Sequence, residues 1–325
     1  MIGKGIAVAG NILVDRINEI NKYPQISELT KILNVKLAAG GCVPNVAIDL
    51  ARLDPTLYVC AIGKVGRDSD GEFAVSIMKD NGVDVSHIVS CDTQTSFTEV
   101  MSEISGQRTF FTYLGANAEF GYDDIDFEKL DVKMLHLGYF LLLEKVDNGD
   151  GEKILRRASE MGIETSIDLV SENSDRYSLI RPCLKYVDNL IINEIEARKL
   201  ADVEPKLENL ELIAKKLLSQ GVRKRVIIHE KNLGIVVSRE NGTTVLPAYD
   251  LPRSYIKGTT GAGDAFCAGA LLGIYEGRSD EEILELASIS AMGSLSEADA
   301  ISGMKSREEL QQAVASMGLK RCKLV

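Results

Sequence analysis

Near the C-terminal end of the chain, Gly258-Thr259-Thr260-Gly261-Ala262-Gly263-Asp264-Ala265-Phe266 combines two closely spaced glycines with an acid directly after the second. An apolar run follows through Leu271, Leu272 and Ile274. This order describes a tight turn opening a buried helix. Free backbone N–H groups at such a turn, together with the positive end of the helix dipole, can hold an anion. Asp264 stands beside them as a group able to take a proton, which is phosphoryl-transfer chemistry in outline. The same residues would equally serve as a glycine turn and a helix cap.

Three further sets are candidates for the same kind of site. Gly40-Gly41, followed by Asn45 at the head of an apolar helical pattern, offers close backbone approach and an amide that both donates and accepts, which suits a polyhydroxylated ligand. Asp15 can accept hydrogen bonds from two adjacent hydroxyls, or be a solvated loop acid. Asn193-Glu194-Ile195-Glu196 opens a helix directly after the apolar run Asn189 to Ile192, so it lies where α/β enzymes place ligands. Asn193 and Glu196 share a helix face, and a carboxylate there can hold Mg²⁺ through its waters; the pair is also a capping box. His87, His136 and His229 are far apart in sequence and head no metal or triad pattern, which marks His87 and His136 as structural, with His229 the exception. No G-x-x-x-x-G-K-[ST] occurs, and no G-x-G-x-x-G follows the first strand, so the P-loop and the usual dinucleotide fingerprint are excluded.

Positioning such groups requires a scaffold, and the hydrophobic pattern supplies one. Ile6-Ala7-Val8-Ala9-Gly10 reads as a buried parallel strand ending at a loop. Strand patterns recur at 57–62, 133–137, 163–168, 188–192, 225–229 and 233–238. Helical patterns lie at 44–53, 71–79, 150–160, 175–185, 194–200 and 206–219. Alternating β and α with short links predicts a parallel sheet sandwiched by helices. Residues 17–38 and 95–113 lack helical period and read as exposed strands, together a small sheet over one end of the main domain. The tail from Lys320 to Val325 reads as an extension without chemistry.

Composition narrows the function classes. The chain has 325 residues, enough to bury a large core, with 45% apolar content and a net charge of −11 that would repel nucleic acid and anionic lipid. Its six cysteines form no C-x-x-C pair and sit mostly among apolar or small neighbours, as reduced thiols do, so neither a metal cluster nor a disulfide framework is expected. Met1 to Gly5 lacks the apolar stretch of a secretory signal, and Met134 to Leu143 is too short to span a bilayer. The expected location is the cytoplasm.

Taken jointly and in order, Gly10 to Asp15, Gly40-Gly41 to Asn45, Gly63-x-x-Gly66-x-Asp68-x-x-Gly71, Gly115-Ala116-Asn117, Asn193-x-x-Glu196 and Thr259 to Phe266 resemble the PfkB, or ribokinase-like, family of carbohydrate and nucleoside kinases. The resemblance spans nearly the whole chain. It implies one ribokinase-like α/β domain over residues 1–325, a three-layer α/β/α fold with a mainly parallel central sheet, and a β lid formed by about 16–38 and 95–115. It implies an ATP- and Mg²⁺-dependent kinase acting on a primary hydroxyl of a small fructose- or ribose-like sugar. The alternatives are an adenosine-type nucleoside kinase and a catalytically weak sugar-binding protein. Carried over by position, Asp264 resembles the general base, and the N–H groups of Gly261, Ala262 and Gly263 the anion hole for the moving phosphoryl. Asp15, Asn11, Gly40, Gly41 and Asn45 match substrate-binding positions. Asn193, Thr260, His229, Lys231 and Gly234 fall on the nucleotide side, and Glu196 on Mg²⁺ through water. The resemblance further implies a homodimer built through the lid, with no nucleic-acid or membrane partner. Gly258 stands where the family usually has an acid that helps hold an activating monovalent cation, so potassium activation is not carried over; Asp299 is the residue that could compensate. Arg108, in the lid, could meet an acidic or polar substrate.

Overall fold

Short apolar runs alternating with amphipathic ones leave each strand apolar on both faces, and such strands need helices on both sides. The computed structural model of the chain describes residues 3–105, 107–172, 174–203 and 209–323. In chain order the first half comprises β1 (Ile6–Ala9), β2 (Leu13–Ile20), β3 (Ile32–Gly40), α1 (Cys42–Leu53), β4 (Val59–Gly66), α2 (Ser69–Asp80), β5 (Asp84–Cys91), β6 (Phe97–Glu103), β7 (Arg108–Tyr113) and β8 (Met134–Phe140). The second half comprises α3 (Gly151–Glu160), β9 (Glu164–Leu169), β10 (Asn189–Asn193), α4 (Glu194–Ala201), α5 (Leu210–Ser219), β11 (Arg225–His229), β12 (Leu233–Ser238), β13 (Gly242–Pro247), α6 (Ala262–Tyr275), α7 (Asp280–Leu295) and α8 (Arg307–Met317).

The main sheet has nine strands in the order β13-β12-β11-β10-β9-β8-β1-β4-β5. Strands β5 through β11 in that order are parallel neighbours, while β12 and β13 add antiparallel at one edge. In β1, Ile6 and Val8 face one core with α1, α6 and α7, whereas Ala7 and Ala9 face the other with α3, α4 and α5. Fully burying a side chain of the size of Ile6 or Val8 is worth about 1.5–3 kcal/mol. Helix α6 is buried from Asp264 to Ile274, because it is enclosed between α1 and α7. Close approach of α6 and α7 depends on Gly269, where a Cβ would come within 2.6 Å of the Leu286 carbonyl oxygen.

Several sequence expectations change here. The strand at 233–238 is antiparallel to β11, and β5 and β13 were not anticipated. β5 is only half buried along its length and β13 is Thr-rich and exposed in part, so neither shows the apolar run of a central strand. The segment expected as a helix over 175–185 is a run of 3-10 turns, Arg176–Tyr186, interrupted by Pro182. Residues 206–208 of the expected 206–219 helix lie outside the described residues, as do the last two of the tail. The tail from Lys320 to Cys322 pairs with the segment 248–250, Arg321 bridging Tyr249.

A second sheet, ordered β3-β2-β6-β7, stands apart from the first. Most of β3 and all of β7 are exposed, including Leu33, Val35, Leu37, Phe110, Phe111 and Tyr113. Among the described residues no helix is long and apolar enough to cross a membrane.

Candidate active site

Parallel strands deliver their C-terminal ends to one edge, and here those ends carry polar groups: Asn11 just after β1, Tyr139 in β8, Asp168 in β9, Asn193 in β10 and His229 in β11. They meet the start of α6. One cleft is lined by Tyr139, Asp168, Ser171, Asn193, Glu196, His229, Gly261, Gly263, Asp264 and Cys267.

Asp264 is buried in the first turn of α6. One of its oxygens, Oδ2, accepts from Asn45 Nδ2 at 2.8 Å and from the Tyr139 hydroxyl at 3.1 Å. Burial, helped by the neighbouring Asp168 charge, pushes its carboxyl up to about 7 despite those two donors. The turn before it depends on Gly261, at φ +80°, where a Cβ would also lie 2.5 Å from the Ala300 Cβ. The N–H groups of Gly261, Gly263 and Asp264 donate to no acceptor among the described residues, and so point free at the head of the helix. Ala262 differs from expectation: its N–H makes a long turn bond of 3.4 Å to the Thr259 carbonyl, leaving the anion position chiefly to its neighbours.

The expected substrate residues gather beside Asp264. Gly41, at φ +93°, has no room for a Cβ against Asn11 Oδ1, and a Cβ on Gly40 would collide with the Asp15 carboxylate. Asn11 and Asn45 are buried, and the Oδ1 of each has no hydrogen-bond partner among the described residues. Asp15 likewise accepts no bond from a described residue, and burial pushes its carboxyl up to about 6. Asn117 fixes the loop after β1 by donating to the Ile12 carbonyl and accepting from the Ile12 N–H.

On the opposite side Asn193 and Glu196 form a capping box, with Glu196 Oε2 accepting from the Asn193 N–H at 3.0 Å. Glu196 Oε1 accepts from Asn193 Nδ2 and from Ser171 Oγ, both at 2.8 Å. Burial raises Glu196 to about 7, with Asp168 contributing repulsion. This wall offers oxygen donors and excess negative charge, a set that fits Mg²⁺ with its water shell.

The nucleotide-side expectations divide. His229 lies in the cleft wall, its ring 4.8 Å from that of Phe266 and beneath Gly263. Burial pushes it down to about 4, so it is neutral and offers no cation to a phosphate. Lys231 is exposed in the turn between β11 and β12. Gly234 does not line the cleft; it is paired within the sheet, and a Cβ there would meet Leu284 at 2.9 Å. Thr260 is exposed, and its Oγ1 accepts from Arg108 of the second sheet at 3.1 Å. Asp299 is already engaged, accepting from Lys36 Nζ at 3.0 Å and from Ser302. Gly258 packs so closely that a Cβ would lie 2.9 Å from the Ala298 carbonyl oxygen, which leaves no space for an acid.

Sequence reasoning missed Tyr139, Asp168 and Ser171. Asp168 lies near the C-terminal end of β9 as Asn193 does at the end of β10, and that place at the sheet edge could have found it. Tyr139 is positioned by a left-handed backbone, φ +58°, which no local pattern announces. The expectation that His136 is merely structural also changes: His136, Asp168 and Cys267 converge, with their potential ligand atoms all within 4.8 Å.

The family model of the pfkB family carbohydrate kinase matches residues 5–315. A 5-dehydro-2-deoxygluconokinase from Clostridium perfringens is 27% identical over 297 residues, 88% of this chain and 85% of that protein. An adenosine kinase from Saccharomyces cerevisiae is 28% identical over 289 residues, 85% of this chain and 83% of that one. In fold, the chain is similar to the Arabidopsis thaliana ribokinase solved with ribose and ATP: TM-score 0.83 at 22% identity, covering 95% of this chain and 98% of that one. A match across almost the entire sequence, on a fold that assembles the motifs at one sheet edge, establishes that the chain belongs to the pfkB family of carbohydrate kinases and is a phosphotransferase with an alcohol group as acceptor.

Proposed function

We propose that this protein transfers the γ-phosphoryl group of ATP to a primary hydroxyl of a small fructose- or ribose-like sugar. The observation that carries the reading is a pair of buried acceptors with no donor among the described residues, Asn11 Oδ1 and Asn45 Oδ1, together with the half-buried Asp15 carboxylate. Buried acceptors without donors are costly, and a polyol supplies several O–H donors at once. With the sugar so held, its reacting hydroxyl faces Asp264, which takes the proton as the oxygen bonds to phosphorus and the bond to ADP breaks. The free N–H groups of Gly261 and Gly263 receive the phosphoryl oxygens. Asn193 and Glu196 would hold Mg²⁺ through water, and that ion supplies charge neutralisation at the phosphates.

The second sheet acts as a lid in this reading. It brings Asp15 to the sugar, and its Arg108 and Lys36 reach the loops at Thr260 and Asp299. Closure excludes water that could otherwise accept the phosphoryl group. The exposed apolar side chains of β3 and β7 support a homodimer through the lid. Because Asp299 already has its own ammonium partner and Gly258 has no space for an acid, we expect turnover to be independent of K⁺. The test is ATP consumption over a panel of pentoses, hexoses, sugar acids and nucleosides, with and without K⁺. A sugar is expected to give the highest kcat/KM. A nucleoside as best substrate would replace this reading with the nucleoside alternative, and binding without turnover would leave a sugar-binding protein.

A further inference from the structure

We propose that His136, Asp168 and Cys267 form a binding site for a soft divalent cation of the zinc class at the floor of the cleft, separate from the magnesium position at Asn193 and Glu196. The three side chains come from β8, the end of β9 and the second turn of α6, and all are buried. His136 Nε2 lies 3.4 Å from Asp168 Oδ2 and 3.6 Å from Cys267 Sγ. A tetrahedral zinc ion with Zn–N and Zn–O near 2.0–2.1 Å and Zn–S near 2.3 Å has ligand-to-ligand edges of about 3.4 Å for N and O and about 3.6 Å for N and S. Both edges at His136 Nε2 match, and the third, from the Asp168 oxygen to Cys267 Sγ, lies within 4.8 Å against the about 3.6 Å of a zinc tetrahedron, so a small side-chain movement closes it.

The surrounding contacts orient the donors. His136 Nδ1 lies 3.0 Å from Ser166 Oγ, and a proton placed there leaves the Nε2 lone pair facing the other two ligands. Asp168 Oδ1 accepts the Tyr139 N–H at 2.6 Å, which leaves Oδ2 for the ion. One nitrogen, one sulfur and one oxygen suit zinc, cobalt or cadmium and not Mg²⁺ or Ca²⁺, which take oxygen ligands. Asp168 and Cys267 also line the open cleft, which gives the ion a path in and a water the fourth position. Binding exchanges the Cys267 thiol proton for the metal, with the proton released to solvent. The competing description is a metal-free S–H···N hydrogen bond, which the same 3.6 Å separation permits.

The site stands on this geometry alone and does not rest on the kinase reading, so its test is a binding measurement. The full-length protein, freed of metal and held in excess Mg²⁺, is titrated with Co²⁺ and then Zn²⁺ while its absorption spectrum is recorded. One equivalent of Co²⁺ is expected to give a thiolate charge-transfer band with the intense visible bands of tetrahedral cobalt, and Zn²⁺ should bleach both. The charge-transfer band should vanish in Cys267→Ser, with Cys267→Ala as a second variant should the first fail to fold, and persist in Cys60→Ser. Ser166→Ala should weaken the metal by about 10–100-fold, the usual effect of removing a ligand's outer partner. Absence of the band in the parent protein, or its survival in both Cys267 variants, would overturn the proposal.

Discussion

At the scale of single residues, the decisive quantity is the proton affinity of Asp264. Its carboxyl is pushed up to about 7 because it is buried and faces Asp168, so near neutral pH it is divided between acid and base. Only the ionised form can take a proton from a hydroxyl. Turnover should therefore rise with pH through about 7 and level off above it, as a kcat–pH profile would record. Two variants should move that limb in opposite directions. Asp168→Asn removes a neighbouring negative charge and shifts the midpoint to lower pH; Tyr139→Phe removes a donor to the carboxylate and shifts it to higher pH. Movement in the same direction would contradict the assignment of causes. The same shift has a stability consequence. The folded state holds a proton that the unfolded state has already lost between 3.8 and about 7, so this group's contribution to stability declines as pH rises across that window. Asp264→Asn should accordingly raise Tm at pH 8, by on the order of a few degrees in calorimetry; a lowered Tm would contradict the burial argument.

At the scale of elements, the head of α6 shows how two similar glycines do different work. Gly261 has φ +80° and a blocked Cβ position, whereas Gly263 is helical and a Cβ there would sit 3.6 Å from His229, in ordinary contact. Gly261→Ala should therefore destabilise the protein by about 1–3 kcal/mol in denaturant unfolding. Gly263→Ala should leave the unfolding midpoint nearly unchanged, or raise it, while slowing turnover through the methyl group it adds to the cleft. Equal losses of stability would mean that the turn geometry is misread. These elements differ in how far sequence reveals them. β1, β10, β11 and α6 are apolar runs bounded by glycine or by caps, and so are visible as pattern. β5 and β13 are edge-side strands with mixed burial, where tertiary pairing and not hydrophobic period decides the conformation. At the site, Asn193 and Glu196 are legible because a capping box has a local signature. The bond from Tyr139 to Asp264 spans 125 residues and has none.

At the scale of the whole molecule, a large sheet gathers polar groups at one edge, and a small second sheet reaches toward it through Lys36 and Arg108. Val35, Leu37 and Phe111 share one face of the small sheet and are 58%, 45% and 59% exposed, an apolar patch of the kind that marks an interaction surface. Sedimentation velocity should show a dimer, and Phe111→Asp should shift it to monomer; a parent protein that is monomeric at micromolar concentration would remove the lid-mediated dimer. The central claim is phosphoryl transfer with Asp264 as base, and one comparison tests it most directly: the ATP consumption of the parent protein and of Asp264→Asn on the preferred sugar, each at saturating substrates. The account predicts that kcat falls by ~10²–10⁴ while the KM for ATP stays within a few-fold, as removal of a general base requires. Near-parental turnover by Asp264→Asn would contradict it.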